Sequence, residues 1–196
     1  MKKIFIRVGL LMSISASIMW SPAQAQVYYT KEGTGAFSVS APAKTINASS
    51  RYVSIELDKA EARLLLSVPV ASFRFTNNFV SDSANQVIHK RFNSYYMESD
   101  KYADVTYMAT IENATEINFE KDGNYPIRTS GMLRIHGVDR KVAAQGIVSV
   151  QGTEVTVAAK IMVQPLDYGI RIPAYIGNMY FKEVFIETKA NLKRKP

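Results

Sequence analysis

Residues 131–150 read GMLRIHGVDRKVAAQGIVSV, two hydrophobic runs joined by a short polar break that holds His136 and Gly137. Leu133 and Ile135 share one face before the break, and Val142, Ala144, Gly146, Val148 and Val150 share one face after it. Period two is the mark of a strand with one buried face. A His-Gly pair between two such runs fits a hairpin corner, where glycine takes a positive φ and the imidazole bonds a loop carbonyl. The competing reading makes His136 a general base, which needs an orienting partner. Asp139 and Arg140 are near in sequence, but no serine or cysteine nucleophile motif accompanies them. The stretch reads as a hairpin.

The same period runs outward in both directions. Phe37, Val39 and Ala41 alternate with serines, and Val53, Ile55 and Leu57 follow the same rule. Ala62, Leu64, Leu66, Val68 and Val70 form a longer series, and Val105, Tyr107, Ala109 and Ile111 another. Val155, Val157, Ala159, Ile161 and Val163 give the cleanest run; Val184, Ile186, Thr188 and Ala190 close the chain. About seven or eight antiparallel strands with short connections make an all-β sandwich or closed barrel. NASS (47–50) and KDGNYP (121–126) read as turns. The segment 81–100, SDSANQVIHKRFNSYYMESD, opens on N-cap residues and sets Ala84, Ile88, Phe92 and Tyr95 at helical spacing. It predicts one helical segment near 82–98, docked over an open barrel end, with His89 facing solvent.

Residues 1–25 have the three parts of a secretory signal: Lys2, Lys3 and Arg7, then an apolar run from about Val8 to Trp20, then Ala23-Gln24-Ala25. The run is shorter than the ~20 residues of a spanning helix. Cleavage is expected after Ala25, leaving residues 26–196 as one domain in the periplasm. The first 25 residues hold three of the 24 basic and none of the 17 acidic residues, so the remainder carries 21 against 17, a net +4. Its basic groups are scattered apart from Lys189, Lys193, Arg194 and Lys195, and no nucleic-acid module is evident. A passing contact with anionic headgroups is open to such a tail, as is a homodimer.

Without cysteine there is neither disulfide nor thiolate metal site. His89 and His136 stand far apart and no ligand pair has diagnostic spacing, so no metal or other cofactor is expected. Glu98, Asp100 and Asp167 are the notable carboxylates, and acidic residues at turns ordinarily bond nearby backbone N–H groups. What is left is apolar surface. Aromatic residues cluster at Phe73, Phe75, Phe79, Phe92, Tyr95, Tyr96, Tyr107, Tyr175, Tyr180, Phe181 and Phe185. A barrel of about eight strands holds either packed side chains or one small ligand.

GMLRIHGVDRKV (131–142) resembles the G-x-L-x-I-H-G-V-x-x-x-V hairpin of the YceI family, periplasmic proteins with a lipocalin-like barrel. FNSYYMESDKYADVTYMATI (92–111), VPVASFRFTN (68–77) and DYGIRIP (167–173) resemble its other conserved-order segments. The likeness runs from about residue 34 to 192. It departs at Ala103, where the family has proline, and over Val80 to Arg91, which is longer than the family pattern. The resemblance implies an antiparallel barrel of about eight strands whose pore holds a polyisoprenoid, an isoprenoid quinone or a similar amphiphilic lipid, and no catalytic residues. By alternation the lining falls to Phe37, Val39, Val53, Ile55, Leu64, Leu66, Tyr107, Leu133, Ile135, Val157, Ile161 and Phe185, with Phe92 and Tyr96 in the lid. The alternative is an envelope interaction protein with a solidly packed barrel.

Overall fold

The computed structural model describes residues 27–40, 45–171 and 183–195. The signal-peptide reading, Ala41, Tyr175, Tyr180 and Phe181 fall outside these. Nine strands are present among the described residues: β1 (Val27–Ser40), β2 (Thr45–Asp58), β3 (Arg63–Pro69), β4 (Arg74–Phe75), β5 (Asp104–Ile111), β6 (Gly123–Ile135), β7 (Val138–Gln151), β8 (Glu154–Val163) and β9 (Val184–Arg194). One α-helix, α1 (Asp82–Arg91), lies between β4 and β5. The sheet order is β1-β9-β8-β7-β6-β5-β3-β2-β4, and β1 also pairs with β2. That last pairing closes an eight-strand antiparallel barrel, with β4 attached only to the start of β2 through Ala48 and Phe75. Closure leaves the ring with no open edge.

The 131–150 stretch is the β6–β7 hairpin. Ile135 pairs with Val138, and the two residues between them both have positive φ, 51° at His136 and 74° at Gly137. Positive φ at both central residues is the type I′ turn, whose twist matches the flanking strands. A Cβ on Gly137 would lie 2.4 Å from the Tyr102 ring, so the corner is tight as well as left-handed. At Gly131 a Cβ would strike the Met108 carbonyl of β5, which explains the glycine that opens the motif.

NASS is not a turn: it lies inside β2, with Ala48 and Ser50 inward and Asn47 and Ser49 outward. The strand bulges just after it. Ser50 and Val53 are both buried while Arg51 and Tyr52 are exposed, and the β1 register slips opposite, between Gly33 and Gly35. An extra residue of this kind bends a strand and tightens its twist. KDGNYP likewise ends as strand, since β6 begins at Gly123.

The two barrel ends differ. At one end the 112–122 loop turns Ile117 and Phe119 inward against Tyr28, Leu57, Ile111, Val150, Val155 and Leu192. Tyr28 stacks on Phe119 at 5.0 Å, and these side chains fill this end. The other end receives the whole 70–103 insertion between β3 and β5. Replacing Gly137 with alanine should cost about 2 kcal/mol, from the left-handed backbone and the Tyr102 ring together. Urea denaturation checks this; an unchanged midpoint would mean the corner is neither strained nor close-packed.

An apolar cavity at the barrel mouth

Inward residues near the insertion leave a cavity of about 360 Å³. Its walls come from the mouth ends of the strands: Phe37 and Val39 of β1, Ile46 of β2, Val68 of β3, Val105 of β5, Ile135 of β6, Val163 of β8, and Val184 and Ile186 of β9. The roof comes from Ile88, Arg91, Phe92, Tyr96 and Met97, and the rim from Pro165, Tyr168 and Ile170. A second chamber of about 50 Å³ continues toward the closed end, and Val68, Phe73, Val105 and Ile186 border both. Gly35, Gly146 and Ala159 border it, and a Cβ at either glycine would meet Val53 or the Ala158 carbonyl. Among the described residues no charged side chain lines this deeper chamber. Tyr107 and Thr129 do reach it, but the two hydroxyls bond each other at 3.0 Å and Thr129 donates to the Ala144 carbonyl at 3.3 Å. Burial is the main cause that raises the Tyr107 phenol above its ordinary pKa, so it stays neutral.

The roof is held by polar anchors. Ser81 caps α1 by accepting from the Ala84 N–H at 3.3 Å. Asn85, buried in the helix, accepts from the backbone and side-chain N–H groups of Asn77 at 3.1 Å each and donates to the Asn77 carbonyl at 3.2 Å. Asn77 in turn accepts from the Asn47 N–H of β2 at 2.8 Å. The expected single helix over 82–98 is α-helical only to Arg91; residues Phe92–Tyr96 form a π-turn. Its wider winding puts Tyr96 into the cavity and leaves Tyr95 77% exposed, so Tyr95 is not on the apolar face. Phe92 meets Phe37, Phe73 and Phe75 at ring distances of 5.4, 6.2 and 5.3 Å. His89, expected in solvent, is half-buried with its ring edge-on to Phe75 and Asn93 donating to its carbonyl at 3.0 Å.

His136 ties three mouth segments together. Its Nδ1 lies 3.2 Å from the Tyr168 carbonyl and its Nε2 2.7 Å from a Glu98 carboxylate oxygen, while the Tyr102 ring packs against it at 4.5 Å. The loop-carbonyl bond is the one a corner histidine would make. Glu98 itself has a positive φ of 42°, a conformation its backbone adopts with this contact formed. The Tyr168 phenol is buried and raised above its ordinary pKa, burial being the first cause and Asp167 the next. Asp167 is exposed, and its turn is closed by backbone bonds, Gly169 N–H to Leu166 and Ile170 N–H to Pro165, both at 3.1 Å.

Of the residues that alternation assigns to the lining, Phe37, Val39 and Ile135 stand in the mouth cavity, and Phe92 and Tyr96 in its roof. Val53, Ile55, Leu64, Leu66, Tyr107, Leu133, Val157 and Ile161 surround the deeper chamber. Phe185 does not face inward. It pairs with Met162 on the outer face of the barrel, with the Lys160 ammonium 4.8 Å above its ring, while its neighbours Val184 and Ile186 face the cavity. The assignment slipped by one residue, and one residue reverses a face. Val70, Ile88, Arg91, Met97, Pro165, Tyr168 and Ile170 were not foreseen. Val70 ends the period-two series of Leu64, Leu66 and Val68, and Ile88 lies on the helical face expected to dock; the others sit on the helix and short turns, where period two gives no signal. Among the described residues no group of three or more His, Asp or Glu is placed to hold a metal ion.

A YceI-like domain model matches residues 20–192. The chain belongs to the YceI family. Solved structures with the same barrel include a polyisoprenoid binding domain from Saccharophagus degradans implicated in plant cell wall breakdown, at 14% identity and TM-score 0.70 over 88% of this chain and 100% of that one. BcnA of Burkholderia cenocepacia aligns at 14% identity and TM-score 0.61 over 82% and 95%. A variant of a protein described as CJ YCEI aligns at 13% identity and TM-score 0.51 over 100% and 99%. No curated protein matches. The I-H-G-V hairpin of this YceI-like barrel is thus a structural corner whose histidine clasps the mouth. Substituting His136 by alanine should cost about 1–2 kcal/mol, discounted for the half-exposed Glu98 partner, and Glu98→Gln should cost less because an acceptor oxygen remains. Equal denaturation midpoints for His136→Ala and the parent would show that the clasp contributes nothing.

Proposed function

We propose that this YceI-like barrel is an exported, non-catalytic carrier that holds the hydrocarbon tail of a polyisoprenoid, an isoprenoid quinone or a similar amphiphilic lipid. The observation that carries the reading is a hollow, apolar mouth in a barrel whose far end is filled by Tyr28, Ile117 and Phe119. Cavities of this size and lining suit the burial of an apolar group. Each buried CH₂ gains ~0.8 kcal/mol, so about ten of them supply about 8 kcal/mol before the cost of association. The family, and the polyisoprenoid binding ascribed to the Saccharophagus degradans domain, support the same class of cargo. The interaction-protein alternative requires a filled interior, which the cavity disfavours.

Export rests on the charged, apolar and small-residue pattern of residues 1–25, and the periplasm is the compartment that pattern suits. The outer barrel face carries pairs such as Arg134–Asp139 at 2.7 Å and Lys160–Glu187 at 2.8 Å, as befits a surface in water rather than in lipid. Among the described residues no helix is long and apolar enough to cross a membrane. The phenols at the cavity, Tyr107 and Tyr168, are held above their ordinary pKa and serve as neutral wall groups rather than acid–base catalysts.

Val105 borders both chambers, so a bulky side chain there plugs the pore at its waist. Val105→Trp should keep the strand circular dichroism of the parent and lose at least about tenfold in affinity for added polyprenol, measured by native mass spectrometry. Undiminished uptake by the folded variant would place the lipid elsewhere and count against the pore.

A further inference from the structure

Among the described residues that line the mouth cavity, Arg91 is the single charged side chain. It ends α1, is exposed overall, and borders the apolar roof beside Phe92. A long cationic side chain in this position lays its methylene stem along apolar wall and keeps its guanidinium in water. No hydrogen bond or ion pair is made by that guanidinium among the described residues, whereas Arg134 and Arg63 are paired with carboxylates. Charge at the helix C-terminus is already supplied by Lys90, in the same last turn and outside the cavity lining, so the helix dipole does not account for a cation on the inner side. Among the described residues no acidic side chain lines the cavity to neutralise it.

The depth of the pore points the same way. Among the described residues none that lines it is charged; its polar groups are Gln145, Thr188 and the Tyr107 and Thr129 hydroxyls, the last two already engaged with each other and with backbone. A lipid seated there must enter tail first, which leaves its polar head at the rim next to Arg91. A guanidinium offers a planar fork of N–H donors that matches an oxyanion, and it gains far less from a hydroxyl or a neutral carbonyl. We infer that Arg91 recognises the headgroup and that the preferred cargo is a hydrocarbon chain ending in an anionic phosphate or carboxylate. This inference rests on the carrier reading and narrows it.

The test measures binding of a polyprenyl monophosphate, the polyprenol of the same length and a long-chain fatty acid to the purified chain and to Arg91→Gln and Arg91→Lys, by native mass spectrometry with tyrosine fluorescence titration. The chain should favour an anionic lipid over the polyprenol by about tenfold or more. Arg91→Gln should abolish that preference, the anionic lipid losing about tenfold more affinity than the polyprenol, and Arg91→Lys should restore part of it. Preference for the monophosphate assigns a phosphate head; preference for the fatty acid assigns a carboxylate. Equal binding of all three lipids, or a loss in Arg91→Gln that is the same for charged and neutral lipids, overturns the headgroup role and leaves the carrier reading standing. Failure of every lipid to bind overturns the carrier reading and this inference with it.

Discussion

A pair of buried amides decides what the barrel can hold. Asn77 and Asn85 exchange three hydrogen bonds, and a fourth reaches β2 through the Asn47 N–H. Sliding α1 deeper would strand those polar groups away from water, each at a cost of about 1–3 kcal/mol. The helix therefore stands off from the mouth instead of sinking into it. At the far end of the insertion, the Glu98–His136 bond fixes the exit of the π-turn against the β6–β7 corner. Between these two fixed points Ile88, Phe92, Tyr96 and Met97 form a roof over space rather than a plug within it.

The opposite end shows what a plug looks like. There the β5–β6 connection sends Ile117 and Phe119 into the ring, and the aromatic stack on Tyr28 completes a dense core. Both ends solve the same geometric problem, because an eight-strand ring is just wide enough for its inward side chains to meet or to leave a slot. A one-ended pore of this form sets polarity by itself: hydrocarbon can be buried inward, and a hydrated head belongs at the rim. Most of the binding free energy then comes from the tail, and discrimination among heads falls to the few polar groups of the roof.

Much of this architecture is legible in the residues. Alternation identifies the β6–β7 hairpin, and inward Leu133, Ile135 and Val157 follow from it directly because long regular strands repeat the signal many times. The His136–Gly137 corner is readable from residue type, although the positive φ of His136 as well as Gly137 is a property of the turn as a whole. Phase is harder than period. The local series Val184, Ile186, Thr188 and Ala190 puts Phe185 on the opposite face, and the β8 register, Val163 with Val184 and Ile161 with Ile186, agrees with that series and not with an inward Phe185. NASS misleads because its three polar residues are compatible with a strand once Ser50 finds a partner inside, the Ser72 hydroxyl at 2.6 Å. The π-turn and the buried asparagines are invisible to periodicity, as both are settled by tertiary partners. Arg91 is a lone basic residue in the sequence and becomes significant only when the helix sets it against an apolar wall.

The central claim is that the mouth half of the barrel is a seat for a lipid tail. It is tested most directly by native mass spectrometry of the protein purified under mild conditions from an envelope fraction, followed by organic extraction and identification of what is released. The account predicts a stoichiometric adduct of lipid mass that disappears on extraction. Protein of bare polypeptide mass, which also stays bare after incubation with prenyl lipids, would contradict it.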